Sequence, residues 1–80
     1  MKIQSKKLSV LAYSNGFTLW HYKTSVQEYD AKAFFEDGFF EPVISILNPG
    51  DLIIFSCEDG RGEQHFVNKD LKLNKNETKD

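Results

Sequence analysis

Eighty residues make one domain and no more, and ten Lys and Arg against twelve Asp and Glu leave a formal net charge of −2. That balance gives no reason to expect a polyanion partner, whose neutralisation needs clustered Lys and Arg, and no stretch approaches the roughly 18 apolar residues of a membrane-spanning helix. The single Cys57 excludes an intrachain disulfide.

Residues 1–7 hold three lysines and read as a flexible N-terminal arm without the apolar core of a signal peptide. The chain is therefore expected to be made in a cytoplasm. A single β-rich domain is expected over residues 8–68. Leu8–Tyr13 reads as its first strand, then Ser14-Asn15-Gly16 as a hairpin turn, because Asn and Gly both tolerate positive φ. Phe17–Lys23 is the returning strand; a three-residue turn in place of two would shift the register and swap its faces. Thr24, Ser25 and Asp30 are candidate helix N-caps, Asp30 the preferred one, for a short helix Ala31–Asp37 ended by Gly38 in left-handed conformation. Glu41-Pro42 opens a second helical turn through Leu47, since proline is tolerated at a first helical position. Asn48-Pro49-Gly50-Asp51 is a turn into the strand Leu52–Cys57. Residues 58–62 form a second hairpin loop, and Gln64–Val67 a strand returning from it. Residues 69–80, with two leucines among charged and amide side chains, are expected to be a disordered tail. The expected fold class is β-rich α+β: a small antiparallel sheet or half-open barrel of two hairpins with a short helical connection.

Chemistry finds little to stand on. His21, His65 and Cys57 fall in three different strands, none at ligand spacing, and no further His or Cys completes a zinc shell. Cys57, inside an apolar run, reads as a buried, inert thiol. The acidic loop 58–63 lacks the alternating ligands of a calcium loop, and a strand-like segment follows it where a phosphate cradle needs a helix. Asp51 suits a carboxylate that caps a tight turn better than a catalytic one. No catalytic, cofactor-binding or metal-binding residue is expected, and no enzyme. Trp20, Tyr22 and Lys23 interleave rings with a cation as single-strand nucleic-acid binders do, but the acidic balance removes the electrostatic half of that mechanism.

The anomaly is that both main strands are apolar on two faces. Phe17, Leu19 and His21 alternate with Thr18, Trp20 and Tyr22, and Leu52/Ile54 alternate with Ile53/Phe55. A half-exposed antiparallel sheet needs only one apolar face. Either the chain's own Phe34/Phe35 and Phe39-Phe40 segments cover the second face, or another subunit does. Trp20, Tyr22, Phe39 and Phe40 are thus the candidate protein-interface residues.

Leu19-Trp20-His21-Tyr22-Lys23-Thr24, Gly38-Phe39-Phe40 and Gly50-Asp51 before Leu52 occur in the order and spacing of a small module of bacteriophage and prophage structural proteins. That module reads Leu-Trp-x-Tyr-x-Thr, a short acid-capped helix ending in Gly-Tyr-Phe, a second helical turn, then Gly-Asp before a hydrophobic strand. The resemblance runs from about Ser9 to Val67. Phe39 stands where the module has Tyr, and Glu41-Pro42 where it often has Asn-Asp. The resemblance implies a non-enzymatic virion component of capsid-decoration or head-fibre type, whose partners are other virion capsid or tail proteins and further copies of itself. The alternative is a phage accessory protein that binds single-stranded nucleic acid or a regulatory partner.

Overall fold

The computed structural model describes residues 2–14 and 16–73. Among these, β1 (Leu8–Ser14), β2 (Phe17–Thr24), β3 (Leu52–Cys57) and β4 (Gly62–Phe66) form one sheet in the order β1-β2-β3-β4. Both expected hairpins are present, β1 antiparallel to β2 and β3 antiparallel to β4. The protein is mostly β, with three single 3-10 turns at Ser5–Lys7, Ala33–Phe35 and Glu41–Val43.

The sheet is neither wholly antiparallel nor a half-open barrel. Its central pair, β2 and β3, is parallel, with Leu19 opposite Leu52 and Thr24 opposite Cys57, and the order stays open at both edges. The cause is the long connection: residues 25–51 cross one face and bring the chain back to the end where β2 began. Only a crossover of a dozen residues or more can join parallel neighbours.

The crossover is less helical than expected. Asp30 does cap, its Oδ1 accepting from Lys32 N–H at 3.1 Å and Ala33 N–H at 3.3 Å, but it starts one 3-10 turn, not a helix Ala31–Asp37. The backbone is extended again at Glu36 (φ −73°, ψ 149°). So short a helix gains few internal bonds, whereas this looser path brings Phe34, Phe39 and Phe40 all onto the sheet, at 1%, 0% and 3% exposure. Gly38 takes the expected positive φ of 81°, inside a turn closed by Phe39 N–H to Glu36 O (3.2 Å), where a residue with a Cβ is strained. Pro42 sits in the first turn of Glu41–Val43. Gly62 faces a different constraint: a Cβ there would meet the Phe55 carbonyl oxygen at 2.9 Å.

Rings fill the space between crossover and sheet. Phe34 stacks on Phe55 with centroids 4.2 Å apart, and Tyr22 meets Phe55 and Phe39 edge-on at 5.9 and 6.4 Å. Buried rings of this size dominate the stability of a small core. Both flanking segments join it. The residues expected as a flexible arm are docked: Ile3 is 3% exposed, its N–H donates to Phe39 O (2.8 Å), and Gln4 N–H donates to Tyr22 Oη (3.0 Å). Lys7 and Gln4 both donate to Glu28 of the crossover. Leu73, expected in the tail, is 4% exposed and bridges Val67. Asn68 arranges this by accepting from Asp70 and Lys72 N–H on its Oδ1, which holds Leu71 at φ 60°. Residues 74–80 of the expected tail lie outside the described residues.

Ile3→Ala is expected to lower stability by about 2–4 kcal/mol, as removal of a core aliphatic does; a fraying arm predicts a shift below about 0.5 kcal/mol. Denaturant titration distinguishes the two. Glu28 supplies a pH test. The Lys7 ammonium first, and then the Gln4 amide, hold its carboxyl down to about 2 from the ordinary 4.5. A depressed folded-state pKa gives stability that is present above 4.5 and lost as pH falls toward 2. Glu28→Gln should flatten the acid limb of the stability curve in that window.

Candidate docking face

Side chains alternate along a strand, so β2 divides into two sets. Thr18, Trp20, Tyr22 and Thr24 are buried; Phe17, Leu19, His21 and Lys23 are not. Register carries the division across the sheet, with Ile53 and Phe55 beside Trp20 and Tyr22. The crossover covers that face. The four interface candidates therefore belong to the chain's own core: Trp20 is 6% exposed, Tyr22 1%, Phe39 0% and Phe40 3%. Within the single chain they are covered by the crossover and the sheet. Their size marked them out, but size is also what makes a residue valuable to a small core.

Asp51 fixes the arrangement. Its carboxylate is fully buried and accepts from Thr18 N–H (2.9 Å), Trp20 Nε1–H (3.0 Å) and Asn48 N–H (3.0 Å). Its backbone N–H donates to Asn48 O (3.1 Å), and its carbonyl accepts from Val67 N–H (2.8 Å). One residue thus ties the start of β2, the turn closing the crossover, and the exit from β4. The hydrogen bonds with Asn48 are those of an acid that caps a tight turn before a strand.

The opposite face is open. Register lines up Ala12, Leu19, Leu52 and Phe66 as one apolar row across all four strands. Phe17 and Ile54 adjoin it. Phe17 is 38% exposed and Phe66 55%, while Leu19, Leu52 and Ile54 are half-buried. The next row is Ser9, His21, Ile54 and Gln64, and Lys6, Lys7 and Lys23 gather beyond its Ser9 end. Contiguous exposed apolar bands on small proteins are commonly contact surfaces.

Two polar clusters could be taken for chemistry. On the open face His21 Nε2 and Ser56 Oγ lie 2.7 Å apart, within nucleophile–base distance. The pair joins the neighbouring strands β2 and β3 as a cross-strand hydrogen bond. At the other side Glu63 holds both His65 (Nε2 at 2.5 Å) and the Tyr29 hydroxyl (2.7 Å). Arg61 lies 4.6 Å over the Tyr29 ring. Burial, then the Glu63 carboxylate, pushes the Tyr29 phenol up to about 12. His65 is thus tied down on the covered side, packed edge-on to Phe35 at 4.9 Å. Cys57 is buried, and no cluster of three metal-ligating side chains occurs among the described residues.

Leu19, Leu52, Ile54 and Phe66 were not singled out from the sequence. The two-sidedness of their strands was the available signal, and it could not say which side the crossover takes. Asp51→Ala should cost about 3 kcal/mol or more, because three N–H donors lose their acceptor. Asp51→Asn should cost less, and Trp20→Phe less again. Thermal melts of the three variants test that ranking. No helix of the described residues is long and apolar enough to cross a membrane. No protein-family model, no curated protein and no solved structure matches the chain.

Proposed function

We propose that this chain is a non-catalytic docking module, a virion component of the capsid-decoration or head-fibre type that the resemblance implies. Its open sheet face is the surface that seats on a capsid or tail lattice. One observation carries the reading: the uncovered apolar row Ala12–Leu19–Leu52–Phe66, with Phe17 and Ile54 beside it. Placing such a row against a partner removes it from water at about 25 cal/mol per Å². Many copies on a symmetric shell give each weak contact a repeated, preorganised target.

Single-strand nucleic acid fits less well. Trp20, the ring best suited to base stacking, is buried and its Nε1–H is engaged by Asp51. The open face has an aliphatic centre, and Lys6, Lys7 and Lys23 gather at one end of it beside Ser9 and Glu58, where a stacking platform needs rings interleaved with its cations.

Purified protein added to phage capsids assembled without it should co-sediment with them. Phe66→Glu, which places a charge in the apolar row, should weaken that binding by about tenfold or more while leaving the melting temperature within a few degrees of wild type. Absence of co-sedimentation, or binding indifferent to Phe66→Glu, contradicts the reading.

A further inference from the structure

The sheet ends in two unlike edges. β4 is short, carries Glu63, and is followed by residues 68–73 folding back so that Leu73 bridges Val67. Such features blunt an edge against pairing. β1 has none of them. It runs seven residues, LSVLAYS, with no charge and no proline, and no strand lies on its outer side among the described residues. Val10, Leu11 and Tyr13 are 56%, 54% and 73% exposed.

The irregularity of β1 is a bulge between Val10 and Ala12. In a regular strand residues three apart point to opposite faces. Here Val10 lies opposite Trp20 and Tyr13 opposite Thr18, and both of those partners point to the buried face. Val10 and Tyr13 therefore share a face, beyond the reach of the crossover. This makes the strand complementary to itself. Turned about a two-fold axis between Leu11 and Ala12, a second copy sets its Tyr13 against Val10 and its Val10 against Tyr13. β-branched and aromatic residues are a favourable cross-strand combination, and here it occurs twice.

Charge selects the same arrangement. In antiparallel pairing about this axis, the Lys7 residues of the two copies stand nine positions apart, about 30 Å, well past the roughly 8 Å screening length at physiological salt. Parallel pairing would set them about 5 Å apart.

We propose that β1 is a homodimerisation edge: two copies pair antiparallel through residues 9–14, joining their sheets into one. This deepens the assembly reading above by naming a second copy as partner, at a surface other than the open face. It closes on itself, as a two-fold contact does, where β1-to-β4 pairing would run on into filaments. Pairing also sets the two open apolar rows side by side on one continuous face.

Sedimentation velocity across a micromolar-to-millimolar series tests this. Wild type should form a dimer and stop there. Val10→Lys and Tyr13→Glu should each weaken it by about tenfold or more. The double variant Val10→Lys/Tyr13→Glu should recover most of the loss, because each new cation faces the new anion of the other copy. Both positions are exposed, so melting of the monomer should be unchanged. Phe66→Glu, which blocks the open face, should leave the dimer intact, and that separates failure of this inference from failure of capsid docking. A monomer at every concentration, filaments, a dimer broken by Phe66→Glu but not by Val10→Lys, or a double variant no better than the singles overturns it.

Discussion

A buried carboxylate, with no buried cation beside it among the described residues, is the constraint on which this structure turns. Asp51 is satisfied by N–H donors from β2, from the indole of Trp20 and from the turn that ends the crossover. A parallel strand pair joined by a long connection has no tight turn to set its register. Loop closure alone leaves the returning strand free to land at several positions. Asp51 removes that freedom, because its three acceptor contacts are met only when Leu52 arrives beside Leu19. Burying a carboxylate is expensive unless it is hydrogen-bonded, so misplaced registers carry a heavy penalty.

The consequence reaches the surface. With the register fixed, Trp20, Tyr22, Ile53 and Phe55 share one face, and the rings of Phe34, Phe39 and Phe40 close over it. Ile3 and Leu73 seal its margins from the two ends of the described chain. A crossover of single turns has enough rings for one face only. The other face keeps its aliphatic row exposed, and the edge strand keeps Val10 and Tyr13 exposed. What a small core leaves over is one open face and one open edge, the two surfaces on which the proposed contacts with a partner and with another copy rest.

The strands were legible from sequence because their signals are local. Alternation and the Asn-Gly turn place β1 and β2 to within a residue, and Pro49-Gly50-Asp51 announces β3. Asp30 and Gly38 were also legible as cap and left-handed residue, but not the length of what they bound, since a cap marks a start without supplying helical bonds. The parallel pairing was not legible. It depends on the path of residues 25–51, which no local pattern encodes, although two-sided apolar strands are typical of parallel pairs. Ile3 and Leu73 were missed for a related reason: an isolated apolar residue in a polar segment has no period to betray it. The two faces of β2 were separable by alternation, and only their assignment to core or surface was not. The large rings went to the core, while the smaller Leu19 and Leu52 lie at the centre of the open face.

Hydroxyl-radical footprinting of the free protein tests this sidedness most directly, because rings occur on both faces and at the edge. Fast modification of Tyr13, Phe17 and Phe66, with Trp20, Tyr22, Phe39 and Phe40 protected, is the result this account predicts. Fast modification of Trp20 and Tyr22 with Phe17 and Phe66 protected would place the crossover on the wrong face and contradict it.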